Sequence, residues 1–344
     1  MLEAVIPRKR SGIYVAEIGL NHNGSVDAAR DMIRAAARAG ADAVKFQTFV
    51  PELLVSPFAA DLLREGKEGR GDWGAVEFFR RCVLTAHAYR ELNATANDEG
   101  VVFFSSVFDI PSLELLESLG VKLYKIASSE VTNHPLIAAV ANTGKPAILS
   151  TGMASEKEIQ AAVSVFRRHS RAELVLLHCV SIYPLPPHEA NMARIPALAR
   201  RFGLPVGFSD HTRDPFTAAI AAAFGARLFE KHFTIDKLHE CPDKEISCTP
   251  DEFSRMVELA EKAIVMAGSG AIDYGAAEAE TARASRRSLF ARRSIPRGSI
   301  LGIDDCVTLR PGVGIPPSEI DTVVGKKTRI AIQEGYMIKR EYLE

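Results

Sequence analysis

The chain has 344 residues, with 42 Lys and Arg against 43 Asp and Glu and a formal net charge of −1. This balance argues against a protein that binds nucleic acid through its overall charge. A hydrophobic fraction of 47% beside 25% charged residues is typical of a globular protein with a large core. The five cysteines are scattered without a CxxC pair, which is typical of reduced packing thiols.

The ends and the apolar runs of the chain give no sign of a membrane protein. The first residues, MLEAVIPRKR, lack the apolar region of a signal peptide, and the run Ala218 to Ala226 is too short to span a bilayer. We therefore expect a cytoplasmic protein that binds neither membrane nor nucleic acid.

Short Val-, Ile- and Leu-rich segments alternate with helical segments from Ile13 onward, which is the pattern of repeated βα units. Eight such units predict a (β/α)₈ TIM barrel in the α/β class, and a doubly wound open sheet is the alternative. The predicted strands are Ile13–Ile18, Ala43–Gln47, Val101–Ser105, Leu123–Ile126, Ala147–Ser150, Leu174–Cys179, Pro205–Phe208 and Arg227–His232.

The composition after the barrel predicts a second domain. We expect the barrel to cover residues 1–268 and a linker rich in small and charged residues to cover 269–287. Residues 288–344 contain several turn signals and predict a small β-rich domain, whose core is marginal alone and has to dock on a barrel mouth. Within the barrel, the charged segment Pro51 to Gly74 is either a lid or a solvated connection.

Two histidines end neighbouring predicted strands, so their imidazoles are expected at the same rim of the barrel. His211 follows GFSD, and His232 lies in LFEKHFT after the helix predicted for Pro215 to Ala226. Two convergent histidines, with Glu17, Glu230 or water beside them, are a plausible half of a divalent metal site. The alternative is that each histidine only satisfies a backbone carbonyl.

Polar residues follow all eight predicted strands at the rim where a barrel enzyme builds its site. Lys45 and Lys125 lie inside otherwise apolar strands, where a charge is costly without a partner. Lysines with clustered hydroxyls predict a bound phosphate. Two alternatives remain: pairing of the lysines with Glu17 or Glu130, and a lysine that forms a Schiff base. The rim also contains His178, Asp210 and the loop Leu238 to Thr249.

Several motifs occur in an order that resembles one enzyme family over nearly the whole chain. They are AEIGLNHNG, GADAVKFQTF, YKIASSEVTNHPLI, LSTGM, HCVSIYP, GFSDHT and EKHFT, followed by IPRGSIL, RPGVGI and VVGKKTRIAIQEGYMI. The chain resembles the sialic acid synthases, which form N-acetylneuraminate, legionaminate and pseudaminate from phosphoenolpyruvate. Its last part resembles the SAF, or antifreeze-like, domain that follows the barrel in this family.

The resemblance implies a cytoplasmic transferase that condenses phosphoenolpyruvate with an N-acylated amino sugar, such as N-acetylmannosamine or a 2,4-diacetamido-trideoxyhexose. It implies Mn²⁺ or Mg²⁺ on His211 and His232, and Glu130, Glu17 and Glu230 as catalytic carboxylates, with Glu130 the first candidate to handle water. The positions that match the phosphoenolpyruvate site are Lys45, Lys125, Ser106, Ser128, Ser150 and Ser209.

The sugar end of the site and the quaternary structure rest on the resemblance alone. Its expected residues are Gln47, Ser181, Tyr183, Asp243 and Arg310. The family implies a homodimer with swapped SAF domains, in which Arg310 of one subunit reaches the sugar in the other. Ser181 departs from an Asn that some N-acetylneuraminate synthases use, which opens the choice of sugar. The competing functions are a Schiff-base aldolase using Lys125 and a non-catalytic member that assists surface polysaccharide assembly.

Overall fold

The first part of the chain forms a closed parallel barrel, which confirms the predicted (β/α)₈ fold and excludes the open sheet. The computed structural model describes residues 5–7, 9–56 and 75–344. The eight strands follow each other in sequence order, and β1 pairs with β8 to close the barrel. They are β1 Ile13–Gly19, β2 Ala43–Thr48, β3 Val102–Val107, β4 Tyr124–Ile126, β5 Ala147–Ser150, β6 Leu174–Cys179, β7 Val206–Asp210 and β8 Leu228–His232.

Several helices of this part begin at side-chain caps, and the long ones bury one apolar face. Ser25 accepts a hydrogen bond from the Ala28 amide at the first helix, and capping boxes begin the helices after Ser155 and Thr249. The described helices of this part are α1 Val26–Arg38, α2 Pro51–Leu54, α3 Ala75–Cys82, α4 Ala86–Asp98, α5 Ile110–Ser118, α6 His134–Asn142, α7 Glu156–His169, α8 Arg194–Phe202, α9 Thr217–Ala223 and α10 Pro250–Ala267. Most of the Pro51 to Gly74 segment, residues 57–74, lies outside the described residues.

The inward residues of the strands change from apolar to polar along each strand. On β8, Leu228 belongs to the apolar cluster in the barrel interior, whereas Glu230 and His232 line a cavity above it. On β1, Val15 belongs to the same cluster and Glu17 lines the cavity. Because strand side chains alternate with a period of two, every second residue near a strand's C-terminal end faces the cavity.

The chain divides after Gly268 into two compact units. The second unit begins with a helix, α11 Ala276–Ser285, inside the stretch that the sequence predicted to be a linker. Its Ala- and Glu-rich composition favours a helix, so treating it only as a linker was incomplete. After it, β9 Ser288–Ala291 pairs antiparallel with β10 Cys306–Leu309. Elsewhere in the described part of this unit the pairing consists of isolated antiparallel bridges, and a small β-rich domain was predicted here.

Candidate active site

A polar cavity of about 210 Å³ lies at the C-terminal ends of the barrel strands. It brings together most of the residues that the sequence singled out, from all eight strands or the turns that follow them. Those in its wall are Glu17, Lys45, Gln47, Ser106, Lys125, Ser128, Ser150, Ser181, Tyr183, Ser209, His211, Glu230 and His232. The remaining wall is formed by Phe108, Ala127, Ser129, Met153 and Cys179.

Lys45 lies at the centre of a buried charge network. Its Nζ is 2.7 Å from Oε2 of Glu17 and donates a hydrogen bond to Oγ of Ser106 at 3.0 Å. Glu17 also accepts a hydrogen bond from Nε2 of Gln47 at 2.9 Å. Pairing with Glu17 was one of the alternatives that the sequence left open, and it occurs here.

Glu230 links both lysines from the opposite side of the network. Its carboxylate lies 3.4 Å from Nζ of Lys125 and 3.8 Å from Nζ of Lys45. Ser209 donates a hydrogen bond to Oε1 of Glu230 at 2.9 Å. The second carboxylate of the network is therefore Glu230 and not Glu130, the other partner that the sequence suggested.

Burial and pairing act on the pKa values of these groups in opposite directions. Burial alone would raise the pKa of Glu230, but Lys125 and Lys45 outweigh it and hold that pKa well below the usual range. Burial lowers the pKa of Lys45, yet the carboxylates of Glu17 and Glu230 raise it above its ordinary value. For Lys125, burial dominates and the pKa is lowered, although Glu230 partly opposes this effect.

Several donors in the cavity are not committed to the network. The buried Oγ of Ser150 has no hydrogen-bond partner among the described residues. Ser106 accepts a hydrogen bond from Lys45 at 3.0 Å, so its hydroxyl keeps its own proton to donate. Ser128 accepts a hydrogen bond from the Gly152 amide at 2.9 Å. An ammonium group has three donors, and Lys125 contacts Glu230 with one of them. The cavity thus offers spare donors to an anion.

The two histidines are neighbours in the cavity, and Nδ1 of each lies near an oxygen atom. Their ring centroids are 5.6 Å apart. Nδ1 of His211 lies 2.8 Å from the Val180 carbonyl, and Nδ1 of His232 lies 3.3 Å from Oδ2 of Asp243. The Val180 carbonyl at Nδ1 of His211 favours the tautomer with an unprotonated Nε2, as in metal-binding histidines, whereas Nδ1 of His232 has no hydrogen bond among the described residues. The ring of Tyr183 lies 4.2 Å from that of His211.

The donor set is compatible with a divalent ion that keeps part of its shell for water or substrate. No cluster of three or more His, Cys, Asp or Glu side chains with metal-binding geometry occurs in the part of the chain that the structure describes. Two neighbouring imidazoles that line a cavity with two carboxylates still fit an ion with few protein ligands.

Three of the predicted site residues lie outside the cavity wall. Glu130 ends a 3₁₀ turn after β4, and its carboxylate accepts hydrogen bonds from Ser129 at 3.0 Å and Asn133 at 2.7 Å. Asp243 lies behind His232, as described above. Arg310 is exposed and follows β10 in the second unit.

The strand alternation also corrects some of the predicted rim residues. His178 lies on the outer side of β6, where its Nε2 is 2.7 Å from the Ala190 carbonyl, and it is fully buried. Cys179, which the sequence assigned to packing, lines the cavity instead, and its Sγ lies 3.9 Å from Nδ1 of His211. The inward apolar residues Val175 and Leu177 precede it at a spacing of two, and that periodicity was the signal for Cys179.

Comparison with known proteins agrees with this fold. The NeuB family model matches residues 32–271, and the SAF domain model matches residues 286–343. The N,N'-diacetyllegionaminic acid synthase of Legionella pneumophila is 36% identical over 96% of this chain and 94% of its own. The pseudaminic acid synthase of Campylobacter jejuni is 33% identical over 94% of both chains, and the human N-acetylneuraminate-9-phosphate synthase is 31% identical over 96% of this chain and 92% of its own.

Solved structures give the same result. An N-acetylneuraminic acid synthetase from Leptospira borgpetersenii superposes with a TM-score of 0.73 at 33% identity, over 79% of this chain and 90% of its own. A putative spore coat polysaccharide biosynthesis protein from Chromobacterium violaceum gives a TM-score of 0.81 at 27% identity, over 97% of this chain and 99% of its own. The chain therefore belongs to the NeuB family and carries a SAF domain after its barrel.

Proposed function

We propose that this protein is a nonulosonic acid synthase that condenses phosphoenolpyruvate with an N-acylated amino-sugar aldose and releases phosphate. The observation that carries the proposal is the cavity in which two buried lysines, six serines and two histidines meet at one rim. The names of the relatives support the product class, because they are legionaminic, pseudaminic and N-acetylneuraminic acid synthases.

Phosphoenolpyruvate binds through the donors that the protein leaves uncommitted. Lys125 and Ser150 are the first of these, and Ser106 adds a hydroxyl proton, while Ser128 lines the same cavity. Lys45 contributes positive charge while it remains paired with Glu17. Donors that are already fixed in a buried site stabilise phosphate throughout the reaction without reorganisation.

The reaction joins C3 of phosphoenolpyruvate to the aldehyde carbon of the sugar. Water then adds at C2, and phosphate leaves by cleavage of its bond to C2, which produces the keto acid. A divalent ion, Mn²⁺ or Mg²⁺, would be held by His211 and His232 and would supply Lewis-acid polarisation of the sugar aldehyde.

The carboxylate that handles water is best sought inside the cavity. Glu17 and Glu230 line it, whereas Glu130 is bonded to Ser129 and Asn133 outside the wall. We therefore place Glu17 and Glu230 before Glu130 for this role. The low pKa of Glu230, held down by the lysines against the effect of burial, suits a permanent anion that orients water.

The acceptor sugar binds on the side of Gln47, Ser181, Tyr183 and Asp243. Because Ser181 is shorter than an asparagine, this side has room for a modified hexose, and we propose a 2,4-diacetamido-trideoxyhexose before N-acetylmannosamine. The functional unit is a homodimer in which the SAF domain of one subunit supplies Arg310 to the site of the other. These assignments follow the family resemblance and the names of the relatives.

Phosphate release from phosphoenolpyruvate over a panel of acylated hexosamines, with and without EDTA, tests the proposal. The expected result is release with a diacetamido sugar, lost with EDTA and restored by Mn²⁺. Phosphoenolpyruvate with ¹⁸O in the bridging position should deliver the label to phosphate. Lys125→Met should abolish release, while Lys145→Met, which removes a lysine paired with Glu117 outside the cavity, should retain it.

One observation favours a second candidate, a Schiff-base aldolase. Burial lowers the pKa of Lys125, and an amine with a lowered pKa is the form that attacks a carbonyl. Borohydride trapping of pyruvate on Lys125, without phosphate release from phosphoenolpyruvate, would replace the synthase with the aldolase.

A further inference from the structure

The side-chain amide of Asn21 is fully buried and makes three hydrogen bonds to the segment after β8. Nδ2 donates to the Phe233 carbonyl at 2.9 Å and to Oγ of Ser247 at 2.8 Å. Oδ1 accepts a hydrogen bond from the Asp243 amide at 3.0 Å. One side chain of the turn after β1 therefore fixes three points of the loop that follows β8.

These three points surround the contact between Asp243 and His232. Phe233 directly follows His232, and Ser247 donates a second hydrogen bond to the Asp243 carbonyl at 2.7 Å. The Asp243 carboxylate in turn lies 3.3 Å from Nδ1 of His232. Asn21 thus holds the backbone on both sides of this contact.

The loop has little regular structure of its own to keep Asp243 in place. Among the described residues of 234–249, the helical part is one 3₁₀ turn, Lys244–Ile246. Alanine at position 21 would leave the Phe233 carbonyl and the Asp243 amide without this partner and would remove one of the two hydrogen bonds of Ser247 Oγ, which is costly. Aspartate would keep the acceptor for the Asp243 amide but lose both donors.

We propose that Asn21 is a positioning residue that sets the Asp243 carboxylate against His232 and thereby shapes the acceptor-sugar end of the site. The expected effect on the KM for the sugar rests on the proposed function. The position of the Asp243 carboxylate beside His232 can be tested without turnover. Asn21 itself lies outside the cavity wall and acts through Asp243.

Steady-state kinetics with both substrates give the first test. Asn21→Ala should raise the KM for the acceptor sugar by about tenfold, the cost of roughly one buried hydrogen bond, and leave the KM for phosphoenolpyruvate within about twofold. Ser247→Ala removes one of the two links to Asp243 and should shift the same constant less. If Asn21→Ala does not fold, the KM for the acceptor sugar in Ser247→Ala decides whether these hydrogen bonds position Asp243.

A matched control removes another amide from the same turn. Asn23 is exposed, has a φ of 49°, and donates from Nδ2 to the Glu240 carbonyl at 2.6 Å, with no hydrogen bond to Asp243 among the described contacts. Asn23→Gly keeps the left-handed backbone conformation accessible and removes that bond. Both KM values should stay near those of the wild type. Equal rises of both KM values in Asn21→Ala, or an equal effect of Asn23→Gly, would overturn the proposal.

The second test reads the His232 ring directly and does not require turnover. In protein labelled with ¹⁵N-histidine and free of paramagnetic metal, the ring nitrogens of His232 should report a protonated Nδ1, with the signals assigned through His232→Gln. Asn21→Ala should shift them towards the other tautomer. Unchanged His232 signals in both Asn21→Ala and Ser247→Ala would refute the positioning role even if the wild type proves to be an active synthase.

Discussion

Nζ of Lys231 lies 3.1 Å from Oδ2 of Asp210, and both residues are almost fully buried on the outer side of the barrel. Both also hold the peptide that follows His211: Lys231 donates to the Thr212 carbonyl, and the Thr212 amide donates to Oδ1 of Asp210 at 2.8 Å. The pair ties β8 to β7 directly behind the residues of these strands that face the cavity.

Removal of one charge of this pair should strongly destabilise the barrel. Lys231→Met leaves Asp210 buried and unpaired, and we expect the free energy of unfolding to fall by about 3–5 kcal/mol. Adding Asp210→Asn removes the uncompensated charge but keeps an acceptor for the Thr212 amide, so much of the loss should be recovered. Urea unfolding followed by far-UV circular dichroism measures both effects.

A surface pair provides the control for this comparison. Arg255 and Glu258 are about half exposed and lie 2.6 Å apart on α10. Arg255→Ala should change the free energy of unfolding by less than about 1 kcal/mol. Equal losses for Lys231→Met and Arg255→Ala would show that burial of the Lys231 pair has no energetic importance.

The barrel was predictable because its signal is local and repeated eight times. The ends of the strands were less clear: β7 continues to Asp210, two residues beyond the predicted end, and β3 continues to Val107. These shifts decide which residues face inward. Asp210 and His178 were predicted at the rim. Their neighbours Ser209 and Cys179 face the cavity, and because strand side chains alternate with a period of two, Asp210 and His178 face outward.

Other features of the site depend on contacts between distant parts of the chain. The spacing of Glu17, Lys45 and Glu230 along three strands cannot show that they form one charge network, since it depends on how the barrel closes. The same holds for Asn21 and the loop near Asp243, which are separated by more than 200 residues. The contact of Glu130 is local instead, because Glu130 ends a 3₁₀ turn and accepts a hydrogen bond from Asn133, three residues further along the chain.

His22 should make the fold sensitive to acid. Burial lowers the pKa of His22 to about 4, although a hydrogen bond with the Gly19 carbonyl partly opposes this effect. The folded pKa is thus below the unfolded value near 6.5, so the unfolded chain binds more protons between these values. Stability should fall as the pH decreases from about 6.5 to about 4, by at most about 1.4 kcal/mol per pH unit from this group.

The variant His22→Gln tests this dependence, because glutamine does not titrate. The free energy of unfolding should fall less steeply with decreasing pH in His22→Gln than in the wild type. His87, whose side chain is 77% exposed, provides the control, and His87→Gln should keep the wild-type slope. Parallel pH profiles for the wild type and His22→Gln would contradict the expectation.

Removal of either cavity histidine should abolish metal-dependent turnover. His211→Ala and His232→Ala each take away one imidazole, and we expect a loss of at least about 100-fold in both Mn²⁺ affinity and phosphate release. Titration followed by electron paramagnetic resonance measures Mn²⁺ affinity apart from activity. His188→Ala, at a side chain that is 79% exposed, should bind Mn²⁺ as the wild type does. An intact rate in either cavity variant would count against the metal site.

Two serines of the cavity should have different kinetic effects. Ser150 has no partner within the described residues, and Ser150→Ala should raise the KM for phosphoenolpyruvate by about tenfold, because an anion loses a donor. Ser209 donates to Glu230, so Ser209→Ala should act on the carboxylate and lower kcat more than it changes this KM. The exposed Ser164→Ala is the control. Identical KM changes for Ser150→Ala and Ser209→Ala would contradict this division.

Mixing two inactive variants tests the proposed exchange of SAF domains between subunits. Arg310→Ala damages only the SAF contribution, and Lys125→Met damages only the barrel. If Arg310 serves the partner's barrel, a heterodimer has one site with both parts intact, and co-refolding in equal amounts should recover about one quarter of the wild-type activity. If Arg310 serves its own barrel, each site of the heterodimer lacks one part and the mixture stays inactive. Phosphate release before and after co-refolding distinguishes these outcomes, because the separate variants contribute only their residual rates.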